Sequence, residues 1–116
     1  MDSDGYLDIL VANRDQPNQV LYNDGAGSFS KDVTSFPGAN YGSFDIKCAD
    51  LDKDGYMDVA VSNAFGKGQI FYGAGSRILE DPVDIQNDYA IKPVGTSLSI
   101  GDIDGDGYDD IIMGES

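Results

Sequence analysis

The feature that most constrains this chain is a nine-residue string, Asp50-Leu51-Asp52-Lys53-Asp54-Gly55-Tyr56-Met57-Asp58. It places carboxylates at loop positions 1, 3, 5 and 9, and glycine at position 6. Alternate residues of a tight loop turn their oxygens toward one centre, and glycine accepts the positive φ that closes such a loop. Hard oxygen donors at this spacing suit Ca²⁺, which takes six to eight oxygens in a flexible shell. The string recurs at Asp102-Ile103-Asp104-Gly105-Asp106-Gly107-Tyr108-Asp109-Asp110. A shortened form without position 1 stands at Asp2-Ser3-Asp4-Gly5-Tyr6-Leu7-Asp8.

Asp4 precedes Asp54 by 50 residues, and Asp54 precedes Asp106 by 52. The correspondence extends beyond the loops. Val20-Leu21-Tyr22-Asn23 lies over Ile70-Phe71-Tyr72-Gly73, and Phe44 to Asp50 lies over Thr96 to Asp102. A period of ~50 residues with β-type patterning fits propeller blades better than helical solenoids. The expected class is all-β, with four-stranded antiparallel blades forming an incomplete propeller.

Within one period, 43–49 alternates Phe44, Ile46 and Cys48 with more polar neighbours, as in a strand leading into the loop. Met57 to Val61 is apolar on both sides, as in a strand buried on both faces. Gln69 to Tyr72 reads as a third strand, Gly73 to Ser76 as a turn, and Arg77 to Glu80 as a fourth, outer strand. Asp81 to Pro93 is an irregular connector marked by Pro82 and Pro93. On this reading residues 1–33 supply strands two to four of a partial blade, 42–83 a complete blade, and 94–116 the start of a third. Such a chain has two open sheet edges. It is expected to be a fragment of a longer protein or a short chain that closes a ring by oligomerising.

The charge balance is acidic, 21 Asp+Glu against 7 Lys+Arg with no histidine, for a net −14. That argues against nucleic acid and anionic membrane surfaces as partners. The acids gather in the loops, where they repel one another unless a cation sits among them. No apolar run approaches the ~20 residues of a membrane helix, so no membrane insertion by this segment is expected. No signal peptide is visible at Met1. Cys48 is the single cysteine; its place among alternating apolar residues predicts a buried, inert thiol.

For the middle loop the expected ligands are the side chains of Asp50, Asp52, Asp54 and Asp58 and the backbone carbonyl of Tyr56. The third loop offers Asp102, Asp104, Asp106, Asp110 and the Tyr108 carbonyl, with Asp109 pointing away. The first offers Asp2, Asp4, Asp8 and Tyr6, and whether it binds is left open. An EF-hand needs a bidentate Glu at position 12 and flanking helices. Val11, Val61 and Met113 stand there instead, and strands follow. Asp-Gly turns also form between strands without metal; the repetition favours the metal. The tyrosine rings at position 7 are expected to cover the loops, and Tyr22 and Tyr72 to pack between blades. Without histidine, a Gly-x-Ser-x-Gly elbow or a phosphate loop, no catalytic residue is expected.

These residues resemble FG-GAP repeats and the closely related VCBS repeat. Tyr41-Gly42 and Val94-Gly95 stand where that family has Phe-Gly, and Ser62-Asn63-Ala64 and Gly114-Glu115-Ser116 where it has Gly-Ala-Pro. Asn23-Asp24-Gly25-Ala26-Gly27-Ser28-Phe29 is similar to the Asn-x-Gly-x-Gly-x-Phe turn of the VCBS form. The resemblance implies a β-propeller with a structural Ca²⁺ in the hairpin loop between the first two strands of each blade. It also implies an extracellular or cell-surface setting, with recognition on a face formed by other loops. The expected function is a calcium-stabilised recognition or adhesion segment whose complete propeller takes a protein or glycan ligand. The alternative is the non-catalytic propeller part, glycan-binding or otherwise, of a larger secreted enzyme.

Overall fold

The computed structural model describes residues 1–38, 41–64, 67–75, 77–85 and 95–115, and among these every regular element is a strand. In chain order they are β1 (Ile9–Val11), β2 (Gln19–Tyr22), β3 (Asp32–Ser35), β4 (Ser43–Ala49), β5 (Asp58–Asn63), β6 (Gln69–Phe71), β7 (Gly73–Gly75), β8 (Ile78–Leu79), β9 (Val83–Asp84), β10 (Gly95–Gly101) and β11 (Asp110–Glu115). They form a three-stranded sheet β1-β2-β3, a four-stranded sheet β4-β5-β6-β9, a pair β10-β11 and a short ribbon β7-β8. All pairings are antiparallel, and none of the sheets closes into a barrel. No helix among the described residues is long and apolar enough to cross a membrane.

The centre of the molecule is β5, whose six residues are all buried. Val59 and Val61 project into a core shared with Val20, Tyr22, Phe36 and Phe71. The Phe36 and Phe71 rings meet edge to face with centroids 4.9 Å apart, the arrangement that ring quadrupoles favour. This core joins the first sheet to the four-stranded one. A polar seam runs beside it. Asn18 Nδ2 donates to Ser43 Oγ at 2.8 Å, the Ser43 hydroxyl to Asn63 Oδ1 at 3.0 Å, and Asn63 Nδ2 to Gln69 Oε1 at 3.2 Å. Buried amides paired in this way avoid the penalty of unsatisfied polar groups. The β10 strand lies beside β4, where the Leu98 N–H donates to Asp45 Oδ2 at 2.9 Å.

The loop-bearing hairpins are copies of one another. In the first, Ala49 pairs with Asp58, and the register shifts between Ser43 and Asp45. In the second, Gly101 pairs with Asp110, and the register shifts between Gly95 and Ser97, 52 residues on in both cases. A bulge kept at one site re-aims a strand in the same way each time.

Three expectations need correction. The fourth strand of the β4-β5-β6-β9 sheet is Val83–Asp84, not 77–80. Ile78–Leu79 instead pairs with Gly73–Gly75, which is a strand rather than a turn. Gly73 lets the backbone pass against Tyr56 and Met57 of the loop, a contact that apolar pattern alone does not reveal. Cys48 is exposed. Its strand is at the edge of its sheet, and of its alternating set only Ile46 packs on the core, leaving Phe44 exposed as well. Most of the connector from 81 to 93, and Ser76 of the expected turn, lie outside the described residues.

Candidate metal centre

Each acidic loop bends at the same two places. Position 6 has positive φ at Gly5 (94°), Gly55 (94°) and Gly107 (91°). Position 4 does so too, at Ser3 (66°), Lys53 (61°) and Gly105 (76°). Only glycine takes that conformation without steric cost, so Lys53 and Ser3 are held there by the hydrogen bonds around them.

Those bonds come from the acids. Asp50 Oδ1 accepts the Asp54 N–H at 3.1 Å and Oδ2 the Gly55 N–H at 3.0 Å. Asp102 accepts from Asp106 at 3.2 Å and from Gly107 at 2.9 Å in the same manner, and also from Gly105 at 2.8 Å. Position 3 accepts the N–H two residues on: Asp52 from Asp54, Asp104 from Asp106 and Asp2 from Asp4. Position 5 repeats the Asx turn at 2.8 Å, Asp54 to the Tyr56 N–H, Asp106 to that of Tyr108 and Asp4 to that of Tyr6. One oxygen of each carboxylate at positions 3 and 5 is thereby committed to the backbone.

Two triples converge. Asp50, Asp52 and Asp58 each bring one oxygen within 4.8 Å of the others, as do Asp102, Asp104 and Asp110. Asp54 and Asp106 stand outside these triples, next along each loop. Asp2, Asp4 and Asp8 form no such group among the described residues. Asp8 receives the Met1 amino nitrogen, and Asp2 Oδ2 accepts from Arg77 Nε at 2.8 Å. Burial works to raise the Asp2 carboxyl, yet the Arg77 and Asp4 hydrogen bonds hold it below the usual carboxylate range. Asp52 is shifted the other way, upward, by desolvation and then by the charges of Asp58 and Asp54. An all-oxygen, carboxylate-rich donor set under mutual repulsion fits a hard divalent cation, and offers nothing to a thiophilic one.

Position 9 has a role the sequence did not reveal. Asp58 is fully buried; its Oδ2 accepts the Leu51 N–H at 2.7 Å and its Oδ1 the Gly73 N–H at 2.8 Å. Asp8 Oδ1 takes the Asn23 N–H at 3.0 Å, and Asp110 Oδ2 the Ile103 N–H at 2.9 Å. The only advance signal was the equal 15-residue spacing of Asp8 to Asn23 and Asp58 to Gly73. The tyrosine rings are about half exposed, and Lys53 Nζ sits 4.5 Å from the Tyr108 ring centroid, linking the middle loop to the third.

A family model described as an FG-GAP-like repeat matches residues 1–61 and again residues 50–113. The chain belongs to the FG-GAP-like repeat family. No match is found among curated proteins or among solved structures. FG-GAP-like repeats imply propeller blades, in keeping with the antiparallel sheets described above. They are generally non-catalytic binding or structural repeats. The two FG-GAP-like matches share residues 50–61, which hold the middle loop and the first part of β5. The segments that stand in place of the family's two name motifs, neither of them intact, meet in space: Ala64 N–H, from Ser62-Asn63-Ala64, donates to the carbonyl of Gly42, from Tyr41-Gly42, at 2.6 Å. The Asn23 to Phe29 turn is closed by its own side chains. Asn23 Oδ1 accepts the Gly25 N–H at 2.9 Å, and Asp24 Oδ1 accepts from Ala26 at 2.8 Å and Ser28 at 3.1 Å.

Proposed function

We propose that this is a calcium-stabilised propeller segment of an extracellular recognition or adhesion protein, without catalytic activity of its own. The observation that carries the reading is the congruence of the Asp50/Asp52/Asp58 and Asp102/Asp104/Asp110 triples, in loops with matched backbone angles and matched Asx turns. Asp54 and Asp106, with the Tyr56 and Tyr108 carbonyls, are the further donors proposed for each ion. A bound Ca²⁺ supplies charge neutralisation and cross-links the loop; it performs no reaction. The protein's part is to hold the backbone in the loop conformation and to anchor its base through Asp58 and Asp110. FG-GAP repeats commonly occur in extracellular proteins, where calcium is abundant enough for affinities of about 10⁻⁴–10⁻³ M. A protein or glycan ligand would engage the complete propeller through other loops.

Calorimetric titration with Ca²⁺ tests this reading. Two sites are expected, abolished one at a time by Asp52→Ala and Asp104→Ala, with Mg²⁺ weaker because it demands a stricter octahedron. Absence of any calcium-dependent heat would refute it. A glycan array with and without Ca²⁺ separates a carbohydrate ligand from a protein one.

A further inference from the structure

The first loop treats its acids differently from the other two. Its backbone is the same, with Ser3 and Gly5 at the φ values of their counterparts and the Asp4–Tyr6 turn intact. Yet Asp2, at position 3, is enclosed, its side chain only 5% exposed, and its Oδ2 is held by the guanidinium of Arg77. Arg77 lies 75 residues away in the next repeat, directly before β8. Its guanidinium carbon sits 4.2 Å from the ring centroid of the buried Tyr22, and Nη1 is 3.4 Å from Asp32 Oδ2.

We propose that Arg77 is a built-in counter-cation of the first loop, so that this loop keeps its shape without free calcium. The half of the claim that contrasts it with the other loops rests on the calcium reading above. A guanidinium is suited to the task. It is always charged, its planar fork can bridge two carboxylates, and it stacks on an aromatic face. Gly27 stands 50 residues before Arg77 at the matching position of the first repeat, so this cation is not part of the repeat pattern shared by the two. It also ties the β7-β8 ribbon of one repeat to the acidic loop and third-strand aspartate of the one before. Calcium depletion would then loosen the middle and third loops and leave this seam closed.

Residue-resolved amide hydrogen exchange on the full chain, with Ca²⁺ and with chelator, tests the proposal. In wild type the Asp4 and Tyr6 amides should keep their protection in chelator, while those of Tyr56 and Tyr108 exchange about tenfold faster or more. Arg77→Gln should speed Asp4 and Tyr6 by about tenfold in chelator and leave Tyr56 and Tyr108 at their wild-type rates; Arg77→Lys should fall between. Asp2→Asn, which keeps the Asx acceptor and removes the charge, should reproduce Arg77→Gln and serves if that variant folds poorly. Unchanged Asp4 and Tyr6 rates in these variants, or loss of their protection in wild type on chelation, would overturn the proposal. If Tyr56 and Tyr108 ignore calcium in wild type, the calcium reading fails instead, and the Asp4 and Tyr6 rates still decide the role of Arg77.

Discussion

The Gly73 N–H donates to Asp58 Oδ1 at 2.8 Å, so a loop carboxylate holds the backbone at the start of β7. The other oxygen of Asp58 holds Leu51 at the loop entrance. Loop and sheet are therefore joined by one buried side chain before any ion is considered, and Asp8 repeats the arrangement with Asn23. This separates two jobs that the acid pattern alone merges. Position 9 anchors the loop, while positions 1, 3 and 5 shape it.

Asp58→Ala should then cost stability even in chelator, because it strands two backbone donors. The expected loss is about 3 kcal/mol by urea denaturation, against under about 1 kcal/mol for Asp54→Ala, whose bond is exposed. Equal losses would contradict the division of labour.

Gly73 has no room for a side chain. A Cβ there would lie 2.5 Å from the Met57 carbonyl oxygen and 3.0 Å from Tyr56 Cβ. Gly73→Ala should destabilise by about 1–3 kcal/mol, as overpacking does, and loosen the Asp58 bond. Thermal melts of the variant check this.

Position 4 of the loops gives a purely conformational test. Gly105 has φ 76° and open space around it, whereas Gly101 has open space and no positive φ. Gly105→Ala should cost about 1 kcal/mol from backbone strain alone. Gly101→Ala should be neutral or mildly stabilising in the same denaturation assay.

How much of this was legible in the sequence follows from what each feature depends on. The loops, their hairpin setting and the doubly buried β5 were readable because spacing and apolar pattern are local. The 78–79 segment departs from the outer-strand expectation because it pairs with Gly73–Gly75 as a ribbon, where Gly73 lies too close to Tyr56 and Met57 to carry a side chain. Cys48 was misjudged because alternation marks a face but not whether a neighbouring sheet covers it. Arg77 on Asp2 and Lys53 on Tyr108 join residues from different repeats, which no single period reveals.

Asp45 supplies the pH dependence of the contact between β4 and β10. Burial alone would raise its carboxyl, but hydrogen bonds from Lys47, Leu98 and Ile46 hold it below the usual value. A depressed folded-state pKa contributes stability that is fully present above the unfolded value of about 3.8 and is lost as pH falls through the folded value. Wild type should therefore lose this contribution below about pH 4. Asp45→Asn should be less stable by about 1 kcal/mol near pH 7 and converge with wild type in acid. Parallel stability curves down to pH 2 would count against the assignment.

The most direct test of the central claim is the melting temperature in millimolar Ca²⁺ compared with chelator. At ten times the dissociation constant, each site adds about 1.4 kcal/mol, so two sites should raise the midpoint on the order of 10 °C. Asp52→Ala with Asp104→Ala should abolish the difference. Identical melting curves with and without calcium would contradict the account.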